Sequence, residues 1–455
     1  MVYLKKAIWI AILSCLFTTT VTFSQSLPNP PLITDVQSLT IDDLVNIALE
    51  NQAYYQKAVQ DENFATYAYR GVYGSFLPRA RASVSYQNTR TEIDGYVFQG
   101  QVIPGAKEWS HRSNWDIGLS EDIFTGGSRY YGMKSAQLQL ENINLYRIRT
   151  KDELTYSVRE AVYFFLSAQR RLEVSNEILE LRKESLRFAK ARYENGDVIE
   201  LDVLQAEIDL GNAENALLTA QQTVENTREN INLVIGARLE SGFPINADLK
   251  PVLPAVKFES LVRFALDTRP DLKANRNIVE IEEQNIKIAR AGYLPSASLN
   301  MGFSGSDGGE LANRFQLFPG ENTRYYGVGM SWNLFNQFQT DINRQQSVVN
   351  KRKAEWDSHL SEQQVNADIR RQVRNLTRLF DQTEVLDKNR DLARRQLELE
   401  QERYRLGASS QLNLRSAQVT FIEAENNHIS TVLEFFTTLA SLERDLGRPL
   451  GEVVQ

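Results

Sequence analysis

The chain has 455 residues, of which 24% are charged, and a formal net charge of −7 at pH 7. This length allows several cores, and the acidic balance excludes the broad basic surface that binds nucleic acid. Cys15 is the only cysteine, so a disulfide-stapled scaffold is excluded as well.

Residues 1–24 have the organisation of a secretory signal peptide. Lys5 and Lys6 precede an apolar run from Ala7 to Phe17, and Ser24 is the expected last residue of the signal. Cleavage there would remove Cys15 and leave a mature chain without a thiol. The alternative is a lipoprotein cleavage box at residues 12–15, which would make Cys15 the lipidated first residue.

Beyond the signal, no stretch approaches the roughly 20 consecutive apolar residues that a membrane-spanning helix requires. We therefore expect any membrane insertion to use β-strands, the other structure that satisfies its backbone groups within a bilayer.

The remaining sequence contains two similar units, which predicts an internal duplication. Residues 25–240 form the first structural repeat, residues 258–455 form the second, and the proline-containing segment 241–257 is the linker. Matching residues of the two repeats include Leu77 and Leu294, Pro78 and Pro295, Tyr193 and Tyr404, Gly196 and Gly407, and Gly236 and Gly447.

Each repeat predicts two short helices, a β-hairpin and two very long helices joined by a tight turn. Residues 105–243 and 320–448 contain no proline, which rarely survives inside a helix. The long helices are expected at about 128–236 and about 340–447. Apolar spacings of four and three indicate coiled-coil-like packing seams at Val158, Val162 and Phe165, and at Ile369, Val373 and Leu376.

The predicted hairpins, at about 80–124 and about 296–335, alternate between apolar and small or polar residues. Trp115, Ile117 and Leu119 share one face of a strand, and Asp116 and Gly118 share the other. This alternation suits a membrane barrel with a wet lumen, although a half-buried strand of a soluble sandwich shows it too. Segments 91–113 and 305–324 are glycine-rich and polar, as expected for the loops between paired strands.

Four strands per chain cannot close a barrel, because the smallest bacterial barrels use about eight. The chain is therefore expected to oligomerise. Two copies would supply eight strands and three would supply twelve. Closure of the sheet does not choose between these numbers, but long helices that must enclose a pore favour three.

The duplicated order of these motifs resembles the TolC-like outer-membrane efflux proteins across the whole mature chain. Leu44 with Ala48 opens a repeat, Leu77 with Pro78 precedes a strand, and glycine turns separate the long helices. The resemblance implies a mixed α and β fold: a homotrimer with a twelve-stranded outer-membrane β-barrel, four strands per protomer, continued by a long α-helical periplasmic barrel. The linker would then lie in the equatorial region.

The resemblance also implies a function and partners. Members act as passive export ducts of tripartite efflux or type I secretion systems in Gram-negative bacteria. They lie in outer-membrane lipid and dock to a periplasmic adaptor protein and an inner-membrane transporter. The adaptor would dock on the two helix turns at the periplasmic tip, formed here by Asn195, Gly196 and Asp197, and by Leu406, Gly407 and Ala408.

A periplasmic gate is also implied, closed by hydrogen bonds and ion pairs among the helices. Tyr404 and Asp202 lie where a tyrosine–aspartate hydrogen bond would be expected, and Ser409 occupies the place of a gate arginine. Some members carry aspartate rings that favour cations at the entrance. The matching positions here are Asn413 and Ser416, with Arg415 nearby, so we expect little cation preference.

No enzyme is predicted, and no cofactor or metal. His111, His359 and His428 lack metal-ligand spacing, and the last two are expected on solvated helix faces. No nucleophile is paired with a base at a recognisable spacing. Two other functions remain open: a periplasmic coiled-coil scaffold, soluble or lipid-tethered, and an adhesin-like trimer.

Overall fold

The computed structural model describes residues 29–34, 38–247, 249–253, 258–310 and 321–453. The predicted signal peptide 1–24, including Cys15, lies outside these ranges. Parts of the predicted linker 241–257 and of the second predicted loop 305–324 lie outside them too. The fold below is that of the described ranges.

Helices make up most of the described chain, and they form two sets of equal lengths. In the first set α1 (Ile41–Asn51) has 11 residues, α2 (Ala53–Gly74) has 22, α3 (Ser128–Glu194) has 67 and α4 (Glu200–Ile235) has 36. The second set, α5 (Phe258–Thr268), α6 (Pro270–Ala291), α7 (Gln339–Arg405) and α8 (Gln411–Leu446), repeats these lengths in the same order. A short α9 (Leu450–Val453) follows.

At 1.5 Å per residue, α3 and α7 are each about 100 Å long. The proline-free segments of the sequence fold as these helices and their partners α4 and α8. Within the ranges given above, none of the helices has an apolar stretch sufficient to cross a membrane.

Local sequence sets several of the helix ends. Thr40 caps α1 in a reciprocal arrangement, because its hydroxyl accepts from the Asp43 amide at 3.2 Å while the Asp43 carboxylate accepts from the Thr40 amide at 2.9 Å. Gly236 and Gly447 end α4 and α8 with φ of 70° and 71°. Glycine adopts this left-handed conformation without a steric cost, so both helices stop at corresponding positions.

Among the described residues, the four long β-strands form one antiparallel sheet, in which neighbouring strands follow the order of the ranges below. Its strands are β1 (Arg79–Ile93), β4 (Ala106–Thr125), β5 (Ser296–Glu310) and β6 (Glu321–Ser331). Between β1 and β4, a small hairpin pairs β2 (Tyr96–Phe98) with β3 (Gln101–Ile103). The two predicted hairpins are thus joined edge to edge by β4 and β5.

The strand bounds predicted from the sequence differ from the structure at both ends of the sheet. Segment 91–113 was expected as a loop, but β1 and β4 pair through it as far as Ile93 and Ala106. The second hairpin was expected to reach residue 335, but β6 ends at Ser331. There the Trp332 side chain donates to the Tyr293 carbonyl at 3.1 Å, and positive φ angles at 337 and 338 turn the chain into α7.

Two apolar clusters lie where the short helices pack on the long ones. The first joins α1, α3 and α4 and contains the predicted seam residues Val158, Val162 and Phe165. The second joins α5, α7 and α8 and contains Ile369 and Leu376, with Val373 partly buried at its edge. The seams are therefore packing surfaces, as the heptad-like spacing predicted.

An ion network centred on Asp445 connects the two repeats beside these clusters. The Asp445 side chain is only 7% exposed, and its carboxylate receives Arg149 at 3.4 Å, Arg269 at 3.6 Å and Arg444 at 3.2 Å. Gln372 donates to the second oxygen at 2.8 Å. These partners come from α3, the start of α6, α7 and α8, so one carboxylate links four helices.

Replacing Asp445 with Asn should lower the free energy of unfolding by about 3 kcal/mol at pH 7, because three arginines would face a buried neutral amide. Burial by itself would raise the pKa of Asp445, but the hydrogen bond from Gln372 and the charges of Arg444 and Arg269 hold it below its ordinary value. The stabilisation is therefore complete above about pH 4 and is lost as the pH falls through the folded-state pKa.

Denaturant unfolding in detergent, followed by circular dichroism from pH 7 downward, measures this difference. Glu434→Gln is the matched control, since Glu434 pairs with Arg378 at 3.4 Å while both side chains are more than half exposed. Its loss should change stability by less than about 1 kcal/mol. Equal effects of the two substitutions at pH 7 would contradict the role given to Asp445.

Candidate functional site

The two turns between the long helices have the same backbone geometry. Gly196 and Gly407 adopt φ of 79° and 74°. In each turn, the amide after the glycine donates back to a helix carbonyl at 2.8 Å, from Asp197 to Arg192 and from Ala408 to Arg403. All six residues predicted for the tip lie in these turns and are exposed: Asn195, Gly196, Asp197, Leu406, Gly407 and Ala408.

Both turns lie at the same end of the molecule, as a contact between Arg192 of α3 and Tyr404 of α7 shows. The Arg192 guanidinium sits 5.2 Å from the centre of the Tyr404 ring. Tyr404 is fully buried in a cluster with Leu397, Leu414 and Phe421. The end of α7 is thereby held against the end of α3.

The predicted hydrogen bond between Tyr404 and Asp202 is not formed. The Tyr404 hydroxyl is buried and has no hydrogen-bond partner among the described residues. Burial raises the pKa of Tyr404, the charge of Arg192 opposes this, and the Asp202 carboxylate adds to it. Asp202 is therefore an electrostatic neighbour of the ring, whose position is fixed by apolar packing and by Arg192.

The other predicted gate residues have separate partners. Ser409 is buried and donates from its hydroxyl to Glu400 at 2.7 Å. Ser410 caps α8, because its hydroxyl accepts from the Asn413 backbone N–H at 3.3 Å, and Ser416 is exposed. Arg415 lies 3.5 Å from Asp209 of α4. The structure thus brings Tyr404 near Asp202 but leaves the six positions without one common network.

A buried polar cluster that the sequence did not predict lies farther up the helices. Arg182 of α3 donates to Gln418 of α8 and lies 3.5 Å from Asp209 of α4, and Gln205 donates to Asp209 at 3.1 Å. Arg415 completes the cluster. Burial lowers the pKa of the Arg182 guanidinium, although the charge of Asp209 opposes this. Charged residues abound on these helices, so their sequence gave no sign of which ones would be buried.

A cavity of about 790 Å³ lies between α3, α7, α8 and the linker. His428 lines it, only 18% exposed and 3.5 Å from Asp387. Burial lowers the pKa of His428, with the charge of Arg390 acting in the same direction. The expectation that His428 lies on a solvated face was therefore wrong, because Asp387 and Arg390 of α7 lie beside a largely buried imidazole.

In the described part of the chain, no three His, Cys, Asp or Glu side chains are grouped so that they could hold a metal ion.

The chain combines one antiparallel sheet with two pairs of helices about 100 Å and 50 Å long. The crystal structure of CusC superposes with a TM-score of 0.75 at 16% identity, over 94% of this chain and 96% of that one. The model of the outer membrane efflux protein family matches residues 44–237 and 261–448. The chain belongs to this family, and the protein lies in the outer membrane and extends into the periplasm.

Curated relatives cover different shares of their own length. The probable efflux pump outer membrane protein TtgC of Pseudomonas putida is 26% identical over 311 residues, which are 66% of this chain and 62% of TtgC. The chain thus spans less than two thirds of that relative. The alkaline protease secretion protein AprF of Pseudomonas aeruginosa is 22% identical over 417 residues, 90% of this chain and 84% of AprF.

Proposed function

We propose that three copies of this chain form a passive export channel, the outer-membrane component of a tripartite efflux or type I secretion system. In this proposal each copy is a duplicated unit that supplies two strands and two long helices per repeat. The observation that carries the proposal is the exposure of the sheet. All 15 residues of β1 are exposed, and large apolar side chains of the other strands are exposed too, among them Leu119, Met301 and Tyr326.

The two faces of the sheet differ in the way that a lipid-facing wall requires. Leu119 lies opposite Met301, which lies opposite Tyr326, so an apolar row crosses three strands on one face. On the other face Gly118 lies opposite Gly302. The first face suits lipid and the second suits a water-filled lumen.

Glycine is required on the lumen side, because Tyr325 reaches across it. The Tyr325 hydroxyl donates to Asp116 at 2.9 Å, and a Cβ added at Gly302 would lie 2.6 Å from that hydroxyl oxygen. The hydroxyl end of this side chain occupies the space beside Gly118 and Gly302 on the neighbouring strands. The face proposed to line the lumen therefore carries polar groups and few bulky side chains at these glycines.

The edges of the sheet support association between copies. Among the described residues, β1 pairs only with β4 and β6 pairs only with β5. Each edge therefore offers a row of backbone donors and acceptors that must be satisfied in a bilayer. Pairing β6 of one copy with β1 of the next satisfies both, and three copies make a closed wall of twelve strands.

The exposed turns at the opposite end suit docking of a periplasmic adaptor. Nothing lies within 4 Å of a Cβ added at Gly196 or Gly407, so these turns are open to a partner. TtgC is named as an efflux pump component and AprF as a secretion protein. We propose that this chain likewise works with an adaptor and an inner-membrane transporter, as its resemblance to the family implies.

Membrane fractionation tests the channel directly. We expect the protein to stay in the membrane through salt and alkali washes, to require detergent for release, and to run as a trimer that heating converts to monomers. Planar bilayers containing the purified trimer should conduct. Release by alkali as a monomer would favour the scaffold function, and an alkali-resistant trimer without conductance would favour the adhesin-like function.

Tryptophan at both Gly196 and Gly407 should reduce cross-linking to the periplasmic adaptor, because each bulky side chain would project from an exposed turn. Cross-linking yield in cells, normalised to trimer in the membrane, is the measurement. Gly100→Trp, in the turn between β2 and β3, is the matched control, since Gly100 has φ of 80° and nothing lies within 4 Å of its added Cβ either. Undiminished cross-linking by the double variant would contradict docking on the turns.

The channel should show little preference for cations. Asn413 and Ser416 are neutral, and the charge of nearby Arg415 is partly balanced by Asp209 at 3.5 Å. The reversal potential under a salt gradient in planar bilayers should therefore stay close to zero. Asn413→Asp with Ser416→Asp should shift it toward the cation potential. A strongly cation-selective native channel would contradict this assignment.

A further inference from the structure

The small hairpin of β2 and β3 is apolar and exposed. It lies at the end of the sheet farthest from the helices, because β1 follows α2 and β4 leads back to α3. Residues 95–106 carry no charged side chain. An exposed apolar patch of this kind usually marks a contact with another molecule. We call residues 95–105 the end hairpin, and its exposed apolar side chains are Tyr96, Val97, Phe98, Val102 and Ile103.

Both faces of the end hairpin are apolar. Tyr96 lies opposite Ile103, and the next pair along the hairpin is Val97 with Val102. Opposite residues share a face and successive residues alternate, so the two pairs occupy opposite faces. We call these the Tyr96 face and the Val97 face. A hairpin of two short strands is marginally stable in water by itself, so the end hairpin needs partners on two sides.

Two glycines in close contact separate the end hairpin from the sheet. The pairing of β1 with β4 stops at Ile93 and Ala106 and resumes as a separate pair of strands at Tyr96. A Cβ added at Gly95 would lie 2.8 Å from the Gly105 nitrogen, and one added at Gly105 would lie 2.6 Å from the Ile93 carbonyl oxygen. Only glycine fits there, and glycine also permits a sharp bend. The end hairpin is therefore able to leave the plane of the sheet.

Charged residues lie between the apolar row of the sheet and the end hairpin. Glu92 forms ion pairs with Arg90 at 2.7 Å and with Lys107 at 3.4 Å. The Arg90 guanidinium lies 5.5 Å from the centre of the Trp109 ring. The alternation of β1 and β4 places this group on the same face as Leu119, so the face that suits lipid ends in charges. In the proposed channel, lipid tails therefore do not reach the end hairpin.

We propose that the end hairpins of three copies pack on one another across the external mouth of the channel and restrict it. The inference rests on the proposed channel and gives a function to a segment that the wall of the channel does not need. In a ring of three, every copy has a neighbour on each side. The Val97 face of one end hairpin packs on the Tyr96 face of the next, so every apolar face is covered.

The dimensions of the end hairpin suit this contact. A wall of twelve strands, about 4.8 Å apart and tilted by about 40°, has a radius of about 12 Å. Positive φ angles of 50° at Gln99 and 80° at Gly100 close the hairpin in a tight turn. The strand from Gly95 to Gln99 extends about 17 Å. An end hairpin that bends inward at its glycines therefore reaches the centre of the mouth.

Cysteine cross-linking tests the contact between copies. Tyr96 and Val102 lie on opposite faces of one end hairpin, so a disulfide between them within one chain is excluded by geometry. Oxidation of the purified trimer carrying Tyr96→Cys with Val102→Cys should instead give covalent dimers and trimers on a denaturing gel without reductant. Each single-cysteine variant controls for Cys15 and should remain monomeric on that gel.

Tyr96→Cys with Ile103→Cys is the matched control. These two residues lie opposite each other on one face, so oxidation should join them within one chain and leave the denatured mass at that of a monomer. Native mass is measured for every variant. A native trimer that oxidises at the control pair but gives no covalent dimers with Tyr96→Cys and Val102→Cys would overturn the contact and leave the channel standing. A native monomer would overturn both.

Labelling from outside the cell tests the restriction of the mouth. Ser83 lies opposite Asp116 on the face proposed to line the lumen, so Ser83→Cys places a thiol inside the barrel. On intact cells a small maleimide should label this thiol, whereas a bulky maleimide that cannot cross the membrane should label it several-fold more slowly. Val97→Asp with Val102→Asp should restore fast labelling by the bulky reagent, because burying these charges between hairpins is costly. Equal rates of bulky labelling with and without the two aspartates, in native trimers, would overturn the proposal.

Discussion

The unpaired edges of the sheet are the constraint on which the proposed assembly depends. A backbone N–H or C=O group that leaves water must find a partner, and β1 and β6 each have one paired side among the described residues. A sheet of four strands is too narrow to curl and satisfy its own edges. In the proposed channel, other copies of the chain therefore complete the sheet, and the number of copies fixes the number of helices that continue the wall.

The long helices determine a second property, the length of the molecule. A helix of 67 residues extends about 100 Å, yet it is stable only where other helices cover it. The short helices α1 and α5 meet the long ones at the two apolar clusters, and the Asp445 network lies beside them. These contacts cover the central part of the long helices, whereas the sheet at one end and the turns at the other are exposed.

The two repeats have equal helix lengths but different surroundings. Tyr404 is fully buried beneath Arg192, whereas the matching Tyr193 is 46% exposed. Arg182 lies in a buried polar cluster, whereas the matching Ala393 faces no such partner. Corresponding positions of the two repeats therefore meet different neighbours, so the long helices are equal in length but not in their contacts.

The sequence by itself determined the elements that depend on local chemistry. The absence of proline predicted the long helices, and Gly196 and Gly407 predicted the tight turns that the structure shows. The alternation at residues 115–119 predicted a strand with one apolar face. These properties follow from the backbone preferences of single residues and from the spacing of apolar residues within one helix or strand. They can therefore be predicted without knowledge of the tertiary structure.

Tertiary structure alone decided which polar side chains are buried and which partners they take. Asp445 and Arg182 look like ordinary helix charges in the sequence, because a solvated charge and a buried one have the same neighbours along the chain. Their roles appear only when α3, α4 and α8 come together. The predicted Tyr404–Asp202 bond failed for the same reason: the position of that ring is set by packing against distant residues, which no local pattern records.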